Sequence, residues 1–254
     1  MRVAVWQAPA EVEAGPPFEA VLARAVRAAA AAGAELLVLP ELALLGPPGA
    51  AGLAPLASAS DGAPTRRLGA LARASGIAVV TGYLEACSGR LHSSALLIDA
   101  RGHALANYRR SHLRAGEQTQ LSRGAWLSVV PLAGRRLGLL IGYDLRFPEV
   151  GRALVLAGAD LLVVLGPWPA EPEAEIGPLA AARAIENGVP LAMACWAAQG
   201  GAESRLLGPD GASLARAGGG EEPIVGELPP ALGREAGLAD RRPRLYQELV
   251  AGEP

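Results

Sequence analysis

Three short segments of the sequence place polar side chains directly after apolar runs that have the length of a strand. In the first, Glu41 follows the continuous apolar run Leu36–Leu39 and a single proline. A carboxylate at the end of a buried strand is partly removed from water, which makes it a stronger base and a candidate for general base catalysis. From this segment alone, a glutamate that caps a helix or lies in solvent is the simpler interpretation.

The other two segments combine basic residues, a histidine and a glycine. Asn107–Leu113 holds two adjacent arginines and His112; adjacent arginines usually lie on a solvated strand edge, and a lone histidine is more often structural than catalytic. Leu137–Glu149 runs from an apolar strand through Gly142 into a polar turn and a helix. Such a strand–turn–helix junction can hold a nucleophile in an exposed position, but Gly142 has no side chain to act as one.

Hydrophobic periodicity predicts alternating strands and helices at the start of the chain and hairpins in its middle. The predicted helices are Phe18–Ala32, Arg66–Arg73, Pro148–Leu156 and Leu179–Glu186. The predicted strands are Val3–Trp6, Leu36–Leu39, Ile77–Thr81, Ser94–Ile98, Ala104–Tyr108, Leu127–Pro131, Arg136–Ile141, Asp160–Leu165, Pro190–Cys195 and Ile224–Leu228. This arrangement indicates one α/β domain of two sheets with helices on their outer faces.

The composition excludes several classes of protein and one type of chemistry. The 254 residues carry a net charge of −2, and 51% are hydrophobic against 19% charged, which is typical of a folded protein rather than a disordered one. This near-neutral balance predicts no nucleic-acid partner and no anionic membrane surface. All 23 basic residues are arginine, so any reaction that needs a lysine amine is excluded.

Cysteine usage and the apolar runs predict a soluble, cytoplasmic protein without a metal. Cys87 and Cys195 are the only cysteines, too few for a disulfide framework or a four-ligand zinc site. The three histidines show no ligand spacing, so we predict no metal and no cofactor such as a nucleotide or flavin. Charges and prolines interrupt the longest apolar stretches, so no helix is predicted to span a membrane. Glu171, Glu173 and Glu175 are predicted to lie in a solvated loop.

Five segments, in their order and spacing, resemble the nitrilase, or carbon–nitrogen hydrolase, superfamily over almost the whole chain. They are Pro40–Glu41, Tyr108–Leu113, Gly142–Glu149, Arg183–Asn187 and Asp240–Tyr246. The resemblance implies a four-layer αββα sandwich formed by a single domain, residues 1–254, with a C-terminal arm from about residue 230. It also implies a homodimer or a larger homo-oligomer.

Members of this superfamily hydrolyse amides, nitriles or ureido compounds with a cysteine nucleophile, a glutamate base and a lysine that stabilises the tetrahedral species. Carried over by position, the glutamate is Glu41, the lysine position is Arg110 and the cysteine position is Gly142. Glu117 resembles a second glutamate that many members place beside the site. The resemblance also implies three residues at the ligand pocket: Tyr143, Trp168 and Cys195.

Two of the three catalytic positions are therefore changed. The arginine keeps a positive charge but gives up a proton reluctantly, and its larger, forked head would fill space left by the missing thiol. In other hydrolases that use a side-chain nucleophile and a base, removal of the nucleophile lowers turnover roughly 10⁶-fold. The superfamily mechanism is therefore not expected here. A glycine at position 142 also suits a backbone conformation that other residues adopt only under strain. Ser93 is a further departure, because members often have asparagine there.

Two functional hypotheses follow from these changes. In the first, the protein is a non-catalytic homologue that binds a small amide-like or carboxylate ligand, with Arg110 gripping the carboxylate, or that regulates a partner subunit. In the second, it is an amide hydrolase with altered chemistry, in which Glu41 activates water or Cys195 serves as a surrogate nucleophile. A lone cysteine on an apolar strand such as that of Cys195 is usually a small core residue. Trp168 can likewise be an aromatic residue of the core instead of one at the pocket wall.

Overall fold

Thirteen strands and four helices make up the regular structure of the described residues. The computed structural model describes residues 1–9, 16–45, 56–167, 171–218, 220–233 and 238–247. The helices are α1 (Pro16–Ala31), α2 (Ala63–Ser75), α3 (Pro148–Leu156) and α4 (Glu173–Asn187). The strands are β1 (Arg2–Pro9), β2 (Leu36–Val38), β3 (Ala78–Cys87), β4 (Arg90–Ile98), β5 (Ala104–Arg109), β6 (Val129–Leu132), β7 (Arg135–Ile141), β8 (Leu161–Leu165), β9 (Leu191–Ala194), β10 (Trp196–Ala197), β11 (Arg205–Leu207), β12 (Ser213–Arg216) and β13 (Glu222–Glu227).

The first sheet has the strand order β10-β1-β2-β3-β4-β5, and β13 pairs with β1 as well. Its parallel part consists of β10, β1, β2 and β3. The antiparallel part begins at β3, where the register Val79↔Ile98 to Cys87↔Arg90 defines a long hairpin with β4. Strand β5 continues this antiparallel part and ends the order. Strands β2 and β5, which precede Glu41 and Arg110 in the chain, are therefore strands of the same sheet.

The second sheet has the order β12-β11-β9-β8-β7-β6. Strands β7, β8 and β9 are parallel, with registers that pair Ile141 with Leu165 and Leu165 with Ala194. Their carboxyl ends therefore meet at one edge, which is where ligands bind in many parallel α/β sheets. The strands at both sides of this parallel group are antiparallel to it.

Three apolar layers separate the sheets and helices. The inner layer lies between the sheets and contains, for example, Val3 and Val5 of β1 and Leu139 of β7, all fully buried. A second layer joins the outer face of the first sheet to α1 and α2, and a third joins the second sheet to α3 and α4. Alternation along β1 sends Ala4 and Trp6 to the outer layer while Val3 and Val5 face inward, as the period of a strand requires. The predicted αββα sandwich is confirmed.

All four predicted helices and all ten predicted strands are present, with bounds that differ by several residues in places. The largest shifts are of six residues: β3 ends at Cys87 rather than Thr81, and α4 begins at Glu173 rather than Leu179 although Pro178 lies inside it. Two acidic residues in its first turn and the burial of Ile176 favour the longer helix despite this proline. Three short strands were not predicted, β10, β11 and β12, because two to four residues are too few to show alternation.

The described helices include none that is both long and apolar enough to cross a bilayer. The predicted C-terminal arm is described only over residues 230–233 and 238–247, where Pro243–Tyr246 forms a short 3-10 turn. Its assignment to a single domain with the rest of the chain stays a prediction.

Candidate functional site

Glu41 lies inside the molecule, in the turn that follows β2. The residue is 1% exposed, its N–H donates to the carbonyl of Gly166 at 3.1 Å, and its own carbonyl accepts from Nε1 of Trp196 at 2.8 Å. The backbone of Glu41 is thus fixed to the carboxyl end of β8 and to the start of β10. Gly82 of β3 permits this approach, since a Cβ there would lie 2.6 Å from the Cα of Glu41. The simpler interpretation of a capping or solvent-exposed glutamate is wrong.

Arg110 follows β5 and points into the same interior region. Its N–H donates to the carbonyl of Ser93 at 2.8 Å, and the side chain is only 3% exposed. Its Nη1 lies 2.9 Å from Oε1 of Glu41, and its Nη2 lies 2.7 Å from Oε1 of Glu117. The hydroxyl of Ser93 donates to the same Oε1 of Glu41 at 2.5 Å. The expectation of a solvated strand edge is therefore wrong for Arg110.

The charge of this arginine is held in place by its two carboxylate neighbours. Burial by itself lowers the pKa of Arg110, but the carboxylates of Glu41 and Glu117 raise that pKa further, and the net shift is upward. The guanidinium therefore stays charged and does not exchange a proton. It can supply positive charge and hydrogen-bond donors to a ligand, but it cannot serve as an acid or base.

Glu117 lies beside the site as the resemblance implied. It begins a 3-10 turn, Glu117–Thr119, and its Oε2 accepts from the N–H of Arg114 at 2.8 Å. Its second carboxylate oxygen is the one that pairs with Arg110. The glutamate therefore ties the segment after β5 to the buried guanidinium.

Gly142 immediately follows β7 and has a left-handed backbone, with φ of +47°. This conformation is strained for residues with a side chain, in agreement with the presence of glycine at this position. A Cβ at this position would lie 2.5 Å from Oε2 of Glu41 and 3.4 Å from Cα of Pro167. The prediction that the head of Arg110 fills the space of the absent side chain is therefore wrong, because the Glu41 carboxylate fills it.

Asp144 fixes the turn that follows Gly142. It is fully buried, and its carboxylate accepts from the Tyr108 hydroxyl at 2.7 Å, from the His112 N–H at 2.9 Å and from the Ile141 N–H at 3.2 Å. The ring Nδ1 of His112 lies 3.0 Å from the same carboxylate. Burial and the nearby Asp144 raise the pKa of Tyr108, so its hydroxyl remains a donor. His112 thus has the structural role that the sequence favoured.

A cluster of arginines and glutamates lies beside Tyr143. The guanidinium of Arg114 is 4.9 Å from the centre of the Tyr143 ring, and that of Arg146 is 5.9 Å from it, within the range of cation–π attraction. Both arginines form ion pairs with Glu171. Nη2 of Arg146 lies 2.6 Å from Oε2 of this glutamate. Glu171 is 6% exposed, and Glu175 pairs with Arg146 at 2.5 Å. The prediction of a solvated loop is wrong for Glu171, which is buried and neutralised by arginines distant in sequence. Glu175 is exposed as predicted, but it belongs to α4 rather than to a loop.

Glu173 contradicts the same prediction in a different way. It is the first residue of α4, and its carboxylate pairs with Arg205 and accepts from the N–H of Glu203 at 3.1 Å. Burial raises the pKa of Glu173, but these contacts with Arg205 and the Glu203 N–H lower it more, and the net shift is downward. This glutamate anchors α4 to β11.

Cys195 follows β9 but belongs to the apolar layer under α3 and α4. It is 2% exposed, and its N–H donates to the hydroxyl of Ser204 at 2.8 Å. Burial raises the pKa of the Cys195 thiol to about 12. A thiol that stays protonated is a poor nucleophile, so this geometry favours a core role over that of a surrogate nucleophile.

Alkylation of the native protein tests the environment of this thiol. With iodoacetamide at pH 8, we expect one adduct, at the half-buried Cys87, and none at Cys195, because burial keeps the latter protonated and out of reach. Peptide mass spectrometry locates the adduct, and the unfolded protein in urea is the control that should show both. Labelling of native Cys195 at a rate similar to Cys87 would contradict the assignment.

Two further predictions concern Trp168 and the absence of a metal. Trp168 lies outside the described residues, so its place at the pocket wall stays a prediction. Within the described part of the chain, no group of three or more histidine, cysteine or acidic side chains has the arrangement of a metal site.

Comparison with known proteins identifies the family. A sequence model of the carbon-nitrogen hydrolase family matches residues 2–237. The chain belongs to the carbon–nitrogen hydrolase family. Among curated members, it is 38% identical over 237 residues to the "Hydrolase in pqqF 5'region" of Pseudomonas protegens, covering 86% of this chain and 82% of that one. It is 31% identical over 221 residues to omega-amidase NIT2 of Homo sapiens, covering 79% and 78% of the two chains.

Solved structures of family members share the fold over nearly the whole chain. The NitN amidase from Nesterenkonia sp. AN1 superimposes with a TM-score of 0.87 at 31% identity, covering 98% of this chain and 99% of that one. A mutant of the same amidase, with a TM-score of 0.87 at 30% identity and the same coverage, carries acrylamide added to its active-site cysteine. In this carbon–nitrogen hydrolase homologue, the strand–turn–helix junction after β7 holds Gly142.

Sequence reasoning placed Glu41, Arg110, Glu117 and Gly142 at one site, and the structure brings all four together. It missed the arginine–glutamate cluster around Tyr143 and the bond from Trp196 to the Glu41 backbone. The partners in these contacts lie far apart in the chain, so no local pattern could have signalled them.

Proposed function

We propose that this family member binds a small amide-like or carboxylate ligand at Arg110 and does not hydrolyse it by the thiol route. One observation carries the proposal. Among the described residues, no acceptor is hydrogen-bonded to Nε of Arg110, whereas Nη2 already lies 2.7 Å from Oε1 of Glu117. Buried donors without acceptors are costly and rare in native proteins. A ligand oxygen would satisfy the Nε–H.

An arginine edge is well suited to a carboxylate. Its Nε–H and Nη2–H lie side by side in one plane, so both can donate to the two oxygens of one carboxylate, or one can donate to an amide carbonyl. Small amides fit this fold in a relative, since one mutant of the Nesterenkonia amidase is described in complex with butyramide. The fold therefore supports a ligand of this size.

The same contacts argue against hydrolysis with Glu41 as the base. Glu41 is paired with Arg110 at 2.9 Å in a buried setting. If Glu41 took a proton from water, this ion pair would be lost inside the protein, at a cost of about 3–5 kcal/mol. With Gly142 offering no attacking atom, neither a thiol nor an activated water is supported by the arrangement.

Thermal unfolding in the presence of butyrate, acetate or butyramide tests the proposal. We expect saturable stabilisation; a ligand at about 100 times its Kd adds about 2.7 kcal/mol, or several degrees in Tm for a chain of this size. Arg110→Gln removes the charged guanidinium and its side-by-side donors, so the shift relative to its own unliganded Tm should vanish. Glu41→Gln releases the guanidinium from its ion pair, so butyrate should bind more tightly than to the wild type.

The control is Arg24→Gln, which removes an arginine that is mostly exposed and loosely paired with Glu221 at 3.4 Å. It should show the wild-type shift with every ligand. The proposal fails if neither carboxylates nor amides stabilise the wild type, or if Arg110→Gln and Arg24→Gln respond alike.

A further inference from the structure

A cleft of about 610 Å³ opens on the first sheet, away from the site around Arg110. Three arginines line it: Arg90 at the start of β4, Arg109 at the end of β5, and Arg123 in the segment that follows. Arg109 and Arg110 are consecutive, and side chains alternate across a strand. Arg109 therefore faces the cleft while Arg110 faces the interior, and the two sites are separate.

The wall that carries Arg123 is fixed to the edge of the sheet. The N–H of Ser122 donates to the carbonyl of Leu91 at 2.7 Å, and the N–H of Gly124 donates to the carbonyl of Arg110 at 2.8 Å. Nδ1 of His92 lies 2.9 Å from the Ser122 carbonyl. Gly124 is needed for this approach, because a Cβ there would overlap the carbonyl oxygen of Arg109. Arg123 is thus held beside the strands by backbone contacts on both of its sides.

The cleft carries positive charge that the surrounding residues leave uncompensated. Glu85 neutralises Arg109 through two contacts, Nε to Oε2 at 2.9 Å and Nη2 to Oε1 at 2.6 Å. Within the described ranges, neither Arg90 nor Arg123 has a carboxylate within 4 Å, and no acidic side chain lines the cleft. Two arginine charges therefore face the cleft without a counter-ion from the described chain.

An aromatic side chain accompanies these charges. Trp126 lines the same cleft and is 83% exposed, whereas the side chains of Trp6 and Trp196 are almost completely buried. An indole face left in water is available for stacking on a planar ring. The segment that supplies Arg123 thus supplies an apolar platform three residues later.

We propose that this cleft binds an aromatic phosphate monoester. A phosphate dianion matches the two uncompensated charges of Arg90 and Arg123, and arginine forks bind phosphate oxygens in pairs. The ring of the ligand stacks on Trp126. The volume of about 610 Å³ lies within the range of small-molecule sites. No bond is made or broken, so this is a binding site alone.

Calorimetric titration with 1-naphthyl phosphate tests the proposal, with inorganic phosphate and 1-naphthol as the anion-only and ring-only probes. At low salt we expect 1-naphthyl phosphate to bind more tightly than either fragment. Arg90→Gln and Arg123→Gln should each weaken it about tenfold. Trp126→Ala should weaken 1-naphthyl phosphate about tenfold but leave the weak affinity for inorganic phosphate unchanged. All three side chains are exposed, so these variants are expected to fold.

Arg101→Gln is the matched control, since Arg101 is exposed and follows the far end of β4, roughly 30 Å along the strand from Arg90. It lowers the net charge equally and should leave affinity unchanged. The proposal is overturned if 1-naphthyl phosphate does not bind at millimolar concentration, or if Arg101→Gln weakens it as much as Arg90→Gln. Arg90→Gln, Arg123→Gln and Trp126→Ala leave the ion pair of Arg110 and Glu41 unchanged, so this result and that at Arg110 can fail independently.

Discussion

Purified protein is expected to release no ammonia above background from any member of a panel of amides and nitriles. Gly142 supplies no attacking atom, and loss of the nucleophile costs roughly 10⁶ in turnover in comparable hydrolases, or about 8 kcal/mol of barrier. The Nesterenkonia amidase, which shares the fold, is the positive control. The wild type and Glu41→Ala should give the same background rate in an ammonia assay.

Hydrolysis by the wild type that is lost in Glu41→Ala would overturn the proposed function. Cys195→Ser would then decide whether the buried thiol or an activated water attacks, because only the first mechanism needs that sulfur. Gly142→Cys by itself should stay silent, since its Cβ would meet Oε2 of Glu41 at 2.5 Å and Arg110 holds that carboxylate in place. The side chain would have to displace a buried ion pair before the thiol could reach a substrate.

Replacement of Arg110 by methionine is expected to lower the free energy of unfolding by about 3–5 kcal/mol. The two residues of its more deeply buried ion pair, Arg110 and Glu41, are 3% and 2% exposed at their side chains. Removal of the arginine leaves the Glu41 carboxylate buried without its cation, and leaves Glu117 close to it with like charge. Urea unfolding of the two proteins at pH 7, followed by far-UV circular dichroism, measures the difference.

Two further variants separate the effect of charge burial from that of lost packing. Arg110→Met combined with Glu41→Leu removes both members of the pair, and we expect it to recover part of the lost stability, because an apolar replacement avoids an unpaired buried charge. Arg24→Gln breaks an exposed pair and should change stability by less than about 1 kcal/mol. A loss below about 1 kcal/mol in Arg110→Met would show that the interior pair does not stabilise the fold.

The fold was largely predictable because its strands and helices have strong hydrophobic patterns. The apolar residues of the runs Leu36–Leu39 and Asp160–Leu165 form the fully buried strands β2 and β8, as continuous apolar stretches between turn signals predict. The start of α4 was harder to predict, because Pro178 predicts an interruption of the helix and contacts elsewhere in the fold override that preference. The short strands β10 to β12 carry too few residues for any period to show.

The sequence predicted which residues meet at the candidate site, but not that they are buried and paired. Glu41, Arg110, Glu117 and Gly142 were placed together by the order of their segments, and the structure joins them. The sequence predicts Arg110, Glu41 and Glu171 to be exposed, because charged side chains are rarely buried without an oppositely charged partner and the sequence does not show that partner. Each is buried against a partner from a distant segment.

The sequence by itself determined what chemistry is unavailable. A glycine at position 142 and the absence of lysine remove an attacking atom and an amine under any fold, because these are properties of side-chain identity. Only the tertiary structure decided that Arg110 neutralises Glu41 and that the Glu41 carboxylate fills the space beside Gly142. It also decided that Arg90, Arg123 and Trp126 share one cleft. Burial and pairing of charges depend on which distant segments meet, since the free energy of a charge is set by its neighbours and by the water it loses.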